Sequence, residues 1–251
     1  MTQEATIQAG SVYGHLELLS QLHDDSLVEV WEALGFTEKE VTTLAQNDLY
    51  AARDEVEMKR DTMPEMVFAL YLPKGAPRTQ YAMRFHNGKP ELYYPVPLLA
   101  AADNQLIYGA GRYCASCLQG EAAFLAGESS LTAFVPDFAA SLRPADVGVR
   151  KSIGLMGIML SCAVSDGSEL GSIAKDTCFC LPTEYTAYFD YRARVLSATT
   201  FSWLGKPLTA LTLTTRVGGE SVTIAGYGVL DKTPGVGEYV AGRLWLQAQV
   251  H

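Results

Sequence analysis

Residues 208–230, LTALTLTTRVGGESVTIAGYGVL, carry the clearest signal for β-strands in the chain. Two runs of alternating apolar and hydroxyl side chains flank Gly218-Gly219, a pair that tolerates the positive φ angles of a two-residue hairpin turn. We therefore predict a β-hairpin with Val217 opposite Glu220, because a slip of one residue would mix its two faces. One predicted face pairs Thr215/Val222, Leu213/Ile224 and Leu211/Gly226, and the other pairs Arg216/Ser221, Thr214/Thr223 and Thr212/Ala225.

The segments on either side of this hairpin alternate in the same way. Tyr185–Leu196 and Tyr239–Val250 are rich in aromatic and β-branched residues, and apolar and polar side chains alternate along them. This pattern is typical of strands with one face on a core and one face in water. We predict an antiparallel β-meander of at least four strands, curled into a sandwich or partial barrel.

The N-terminal quarter of the chain, residues 1–65, has a different composition. It contains 14 Asp/Glu and four Lys/Arg, a net charge of −10, whereas the remainder of the chain has a net charge of +1. Two capping boxes, Ser26-x-x-Glu29 and Thr37-x-x-Glu40, predict helix starts, and Gly35 predicts the end of the first of these helices. An earlier helix is predicted from the spacing of Leu16, Leu19 and Leu22.

The middle of the chain gives mixed signals. Asn87-Gly88 lies between two β-rich runs and predicts a second hairpin, whose second strand contains prolines and so belongs at a sheet edge. The other elements that we predict here are a strand at Val67–Leu72, strands at Tyr81–Phe85 and Leu92–Val96, short helices at Glu121–Ala126 and Phe138–Leu142, and a helix or strand at Ile153–Leu160.

The sequence thus predicts an α+β protein. Its parts are an acidic helical region, residues 1–65, and a β-rich main domain, residues 66–251, with a mixed segment before the C-terminal meander. The longest apolar run, Ile153 to Val164, is too short for a membrane helix, which needs about 20 residues. The stretch Met1 to Gly10 lacks the basic and apolar regions of a secretory signal, so we expect a cytoplasmic protein.

Arginines on the polar face of the meander form the candidate binding surface. A guanidinium group binds carboxylate or phosphate with two hydrogen bonds and stacks on aromatic rings. Three interpretations are open: a solvated face, an interface with another subunit or with the acidic helices, and a site for a small anionic ligand. The candidate residues are Arg192, Arg194, Arg216, Arg243 and Trp245, together with His86 beside the second hairpin turn.

Four cysteines have a spacing that could supply zinc ligands. Cys114 and Cys117 are separated by two residues, and Cys178 and Cys180 by one. Tetrahedral zinc accepts four thiolates, but reduced cysteines also serve as small core residues, and a C-x-x-C pair can carry redox chemistry. We expect reduced core thiols, with a structural zinc site as the alternative and no other cofactor.

The segment Glu29–Gln46 resembles the helix-turn-helix of DNA-binding proteins. The apolar and turn positions of that motif are occupied here by Val30, Leu34, Gly35, Phe36, Val41 and Leu44. The resemblance implies a recognition helix starting at Glu38-Lys39-Glu40. Trp31 stands where the motif has a small residue, and the acidic surroundings oppose the phosphate neutralisation on which DNA affinity depends.

Signatures of common catalytic sites, such as G-x-S-x-G, the Walker A loop and H-E-x-x-H, do not occur in the sequence. Together with the segregated charge, this favours a non-enzymatic assembly or partner-binding protein, an inhibitor or immunity-type protein included. Its expected partner is another protein or further copies of the chain, rather than a membrane or nucleic acid. The first alternative is an enzyme or binder of a small anionic ligand with a pocket in the C-terminal sheet, and the second is a helix-turn-helix-like nucleic-acid binder.

Overall fold

The computed structural model describes residues 27–57, 66–71, 79–86, 89–92, 95–113, 119–167, 177–183 and 187–251. The predicted helix around Leu16 and the capping residue Ser26 lie outside these residues. The helices are α1 (27–33), α2 (Glu38–Glu57) and α3 (Phe138–Ser141), with a 3₁₀ turn at Pro144–Asp146. The strands are β1 (Met66–Tyr71), β2 (Thr79–His86), β3 (Lys89–Leu92), β4 (Val96–Pro97), β5 (Ala102–Tyr113), β6 (Gly120–Ala126), β7 (Ser129–Val135), β8 (Arg150–Met159), β9 (Ala163–Val164), β10 (Phe179–Pro182), β11 (Tyr188–Trp203), β12 (Lys206–Val217), β13 (Glu220–Gly228) and β14 (Tyr239–Val250).

Strands dominate the described residues, and helices α1 and α2 precede them, so the structure agrees with the α+β prediction only in its coarse form. A small sheet has the order β1-β2-β3, with β4 also paired to β2. His86 lies opposite Lys89 in this sheet, which confirms the hairpin predicted from Asn87-Gly88 and places β3 at the edge. The second strand of this hairpin is Lys89–Leu92 and not the predicted Leu92–Val96.

The second sheet has ten strands in the order β10-β11-β12-β13-β8-β5-β6-β7-β14-β9. It is mixed rather than purely antiparallel, because β13 runs parallel to β8, and β7 runs parallel to β14. The sheet turns back on itself through β14, which pairs with β11 along Tyr239–Trp245 and with β8 along Leu246–Val250. These uneven pairings do not form a regular barrel.

The hairpin of β12 and β13 has the predicted register. Val217 lies opposite Glu220, and Leu213 lies opposite Ile224. Gly218 and Gly219 have φ angles of +56° and +85°, as the two-residue turn requires. The main core lies on the inner face of this sheet. It is formed by Leu213, Ile224 and the other inward-facing apolar side chains of the strands.

The predicted helix at Glu121–Ala126 is wrong, because these residues lie in strand β6. The composition of this segment favours a helix, but Ala122, Phe124 and Ala126 alternate onto the inner face and are fully buried. Pairing with β5 and β7 therefore overrides the local preference. The ambiguous segment Ile153–Leu160 lies largely in β8, and the helix predicted at Phe138–Leu142 is confirmed as α3.

A second core lies on the outer face of the same sheet, beneath α1. Trp31 of α1 is buried and stacks on Trp203 of β11, with ring centroids 5.7 Å apart, and its Nε1 donates a hydrogen bond to Pro95 O at 2.8 Å. The predicted division into one apolar and one polar face is therefore wrong at this end of the sheet, where both faces are buried.

The connection between α1 and α2 follows the predicted local signals. Gly35 has φ +83°, which is the left-handed conformation expected after a helix end. Thr37 and Glu40 form the capping box, because Thr37 N donates to Glu40 Oε2 at 2.9 Å and Glu40 N donates to Thr37 Oγ1 at 3.4 Å. Helix α2 then extends from this cap. Among the described residues, no helix combines the length and apolar character needed to cross a membrane.

Candidate functional site

The open end of the outer face carries hydroxyl groups and arginines. Thr214 of β12 lies opposite Arg194 of β11 on one side and opposite Thr223 of β13 on the other, so these three side chains share a face. We call this region the arginine surface. Its members are Arg194, Ser197, Thr212, Thr214, Arg216, Ser221 and Thr223.

Hydrogen bonds between hydroxyl groups fix the side chains of this surface. Ser197 Oγ donates to Thr212 Oγ1 at 2.7 Å, and the hydroxyls of Thr214 and Ser221 lie 3.0 Å apart. The backbone of Thr223 is held from the far side by Asn104, whose side-chain amide bonds both its N–H and its C=O. The surface therefore consists of a row of uncharged, hydrogen-bonded hydroxyl groups, which we call the hydroxyl ladder, and of two exposed cations.

Arg194 and Arg216 supply those two cations, and both are exposed. Arg216 Nη1 donates to Gly219 O at 3.2 Å, which orients its guanidinium toward the hairpin turn. The register places these arginines as diagonal neighbours on adjacent strands, with Cα atoms about 7–8 Å apart. The hydrogen-bond donors of the two guanidinium groups are therefore spread along the surface and do not converge on one point.

Arg243 lies on the same face of the sheet but further along β14. Its Nε donates to Asp190 Oδ1 at 3.0 Å, and both side chains are about half exposed, at 50% and 56%. This exposed ion pair neutralises Arg243, which therefore adds little positive charge to the arginine surface.

Arg192 shares the predicted face but is buried, with 1% of its surface exposed. Its Nε donates to Ser165 Oγ at 2.8 Å, its Nη1 donates to Thr177 O, and its guanidinium lies 4.4 Å from the ring centroid of Tyr239. Segments that precede β11 in the chain thus cover Arg192, which places it inside the protein rather than on an open binding surface.

Trp245 is also buried, in the second core. Its ring lies 5.4 Å from that of Phe134, and only 4% of the residue is exposed. The aromatic part of the candidate site is therefore absent from the open surface among the described residues. The backbone of His86 lies in β2, but the side chain of His86 lies outside what the structure describes.

The structure describes two of the four candidate zinc ligands, because Cys114 and Cys117 fall outside the described residues. Cys180 lies in the main core, where burial raises its thiol pKa to about 12, and Cys178 is half-buried. Within the described ranges, no group of three or more His, Cys, Asp and Glu side chains could hold a metal ion. The zinc prediction therefore has no support from the described pair.

An open cleft of about 440 Å³ lies beside α1 and was not foreseen from the sequence. Its lining includes the charged residues Glu32, Asp231 and Lys232, together with Cys162. Burial raises the pKa of the Cys162 thiol, which keeps this sulfur protonated and weakly nucleophilic near neutral pH. The cleft is therefore a surface groove that is lined by both acidic and basic side chains.

The two helices that resemble a helix-turn-helix pack against the outer face of the large sheet. Trp31, Leu34 and Val41 are buried in the second core, so the pair is anchored to the sheet. Glu38 and Lys39 are exposed at the start of α2, and Glu40 binds Lys206 Nζ at 2.7 Å. The described start of α2 therefore offers phosphate groups more negative than positive charge.

The sequence predicts only part of the hydroxyl ladder, because the strand predicted from Tyr185 ends at Leu196, before Ser197. The strand continues to Trp203, and a register shift between Val195 and Ser197 brings Ser197 opposite Thr212. The β-prone run Thr199–Trp203 could have signalled this continuation. Comparison of the chain with protein-family models, with curated proteins and with solved structures found no match.

Proposed function

We propose that the protein is a non-enzymatic, cytoplasmic component of a protein assembly that binds an acidic partner protein through the arginine surface. The observation that carries this proposal is the exposure of Arg194 and Arg216 on an ordered, otherwise uncharged sheet surface. Guanidinium groups form paired hydrogen bonds with carboxylates, and the neighbouring hydroxyls can donate or accept further bonds.

The distribution of charge supports an acidic rather than a basic partner at this surface. The whole chain has a net charge of −9, yet the arginine surface carries two cations and no carboxylate. An acidic partner would be steered to this region and repelled by the acidic N-terminal region, which fixes its orientation. The exposed Glu29, Glu32 and Glu38 would form a second contact, with a basic region of the same assembly.

The state of the described cysteines supports a reducing compartment. Cys162 and Cys180 are free thiols, and structural disulfides are typical of secreted proteins rather than cytoplasmic ones.

A fluorescein-labelled decaglutamate peptide tests the binding surface directly. We expect fluorescence anisotropy to show binding at low salt, and R194A/R216A to weaken it by about tenfold, since each lost ionic contact is worth roughly 0.2–1 kcal/mol or more. The matched control K39A/K232A removes two exposed cations elsewhere on the chain and should leave binding within about twofold.

Equal losses of affinity in both double variants would mean that peptide binding depends only on the net charge of the protein, and would overturn the proposal. Absence of binding by the unaltered protein at low salt would overturn it as well. Thermal unfolding of each variant confirms that the fold is intact, which is expected because all four side chains are exposed.

A further inference from the structure

The second half of β11 has an open edge. Residues Ser197–Trp203 pair with Lys206–Thr212 of β12 on one side, whereas the pairing with β14 ends at Arg194. Val195 still bonds the chain before β14, through Val195 N to Glu238 O and Gly237 N to Val195 O. Beyond Val195, the strand edge opposite β12 has no backbone partner within the described part of the chain.

The turn at the end of the hairpin determines which backbone groups face this edge. Leu204 and Gly205 have φ angles of +50° and +81°, so Trp203 and Lys206 form the first hydrogen-bonded pair of a two-residue hairpin. Hydrogen-bonding direction alternates along an antiparallel strand. The N–H and C=O groups that point outward therefore belong to Ser202, Thr200 and Ala198.

The edge lacks the features with which proteins block pairing between strands. Residues Val195–Trp203, VLSATTFSW, contain no charged residue and no proline. Leu196 and Phe201 are 45% and 37% exposed, and Thr199, Thr200 and Ser202 are exposed as well. An accessible, uncharged strand edge of this kind is a ready template for another strand.

We infer that this edge pairs with the same edge of a second copy of the chain, antiparallel and about a two-fold axis at Thr200. The unpaired part of this edge is bounded by the bonds to Val195 at one end and by the hairpin turn at the other. Thr200 lies at its centre. Pairing Thr200 with itself therefore uses the whole edge and places Ala198 opposite Ser202 of the second copy. Every outward N–H and C=O of the three residues then gains a partner.

The residues brought together by this two-fold axis are compatible with one another. Thr199 lies opposite Phe201 of the second copy, and Ser197 lies opposite Trp203, so no two like charges face each other across the edge. Phe201 packs against Tyr227 within the same chain, with ring centroids 6.2 Å apart. This packing positions its side chain for the contact with Thr199 of the second copy. An axis normal to the sheet also brings both arginine surfaces to the same side of one continuous sheet.

The dimer is expected to be weak, because a single added strand buries less area than the lower limit of stable protein–protein interfaces. Sedimentation velocity from micromolar to submillimolar concentration should therefore show a monomer–dimer equilibrium. T200K puts two lysines directly opposite each other and should abolish the dimer, and T200E should do the same with two carboxylates. T233K adds the same charge at an exposed threonine that lies outside this edge and outside the arginine surface, and should leave the dimer unchanged.

Mixing T200K with T200E tests the register, since only a two-fold axis at Thr200 brings the two altered residues together. We expect the mixture to form a dimer that neither variant forms alone. A monomer at every concentration of the unaltered protein, dimerisation of T200K, or failure of the mixture to associate would each overturn the inference. None of these measurements involves an acidic partner, so the outcome is independent of the function proposed above.

Discussion

Trp31 of the acidic N-terminal region stacks on Trp203 of the C-terminal sheet, with an angle of 22° between the ring planes. Phe36 contacts both rings edge-on, with its centroid 5.4 Å from Trp31 and 5.7 Å from Trp203. Side chains that are far apart in the sequence therefore share one aromatic cluster, which joins α1 to the sheet. The exposed Glu29 and Glu32 of α1 lie away from this cluster.

Trp31→Ala should lower the free energy of unfolding by about 4 kcal/mol, because it empties a fully packed site and leaves Pro95 O without its donor. Urea denaturation measures the change. Glu32→Ala, at the exposed neighbouring position, should change the value by less than about 0.5 kcal/mol. A small effect of Trp31→Ala would show that α1 is not part of the cooperative fold.

Glu40→Gln should alter the pH dependence of stability. The hydrogen bonds from Lys206 and Thr37 lower the pKa of Glu40 from 4.5 to about 2. Because the folded-state pKa is lowered, the stabilisation is present above pH 4.5 and is lost as the pH falls toward 2. The difference in melting temperature between the unaltered protein and Glu40→Gln should therefore shrink over that interval. A difference independent of pH would contradict this origin, and Glu38→Gln is the control for loss of a nearby carboxylate.

Arg192→Ala should destabilise the protein by about 3 kcal/mol, since it leaves the oxygens of Ser165 and Thr177 without this donor and removes the contact with Tyr239. Arg194→Ala, two residues along the same face, should cost less than about 0.5 kcal/mol because Arg194 is exposed. Chemical denaturation of the two variants separates a buried structural arginine from a surface one. Similar losses in both would argue against that distinction.

Gly218→Ala should be more damaging than Gly219→Ala, although both residues have positive φ angles. A Cβ at Gly219 would meet nothing within 4 Å, so only the backbone conformation costs energy, about 1 kcal/mol. A Cβ at Gly218 would collide with the backbone of Ala126 and Ser129, and we expect a total loss of about 3 kcal/mol. Thermal unfolding of the pair tests the close contact between the β12–β13 turn and the β6–β7 turn. Equal melting temperatures would contradict it.

Cys180 should react with iodoacetamide at pH 8 only through unfolding, because burial raises its pKa to about 12 and shields the sulfur. Cys178, half-buried beside it in the chain, should be labelled faster and serves as an internal control. Peptide mass spectrometry after timed labelling gives both rates. Labelling of Cys180 at the rate of Cys178 would show that β10 opens locally in the native state.

Local signals in the sequence were sufficient where a short segment determines its own geometry. Gly218-Gly219 and the alternation around it fix the register of β12 and β13, and Thr37 and Glu40 fix the start of α2. The β5–β6–β7 part of the sheet was missed because GEAAFLA, residues 120–126, is locally helix-prone, and its strand conformation depends on partners elsewhere in the chain.

The candidate site was predictable only as a set of side chains on one face. Alternation along β11 and β12 correctly groups Arg192, Arg194 and Arg216, but alternation carries no information on what covers each position. Arg192 is covered by segments around Ser165 and Thr177, and the register shift after Val195 that completes the hydroxyl ladder has no local sequence signature.

The position of β14 has a consequence for synthesis of the chain. This strand bonds β8 along one part of its length and β11 along another, so two segments of the large sheet meet through residues 239–250. During synthesis, the preceding strands cannot complete the large sheet, and part of its apolar surface stays uncovered, until these residues leave the ribosomal exit tunnel. We therefore expect the large sheet to fold completely only after translation of this strand.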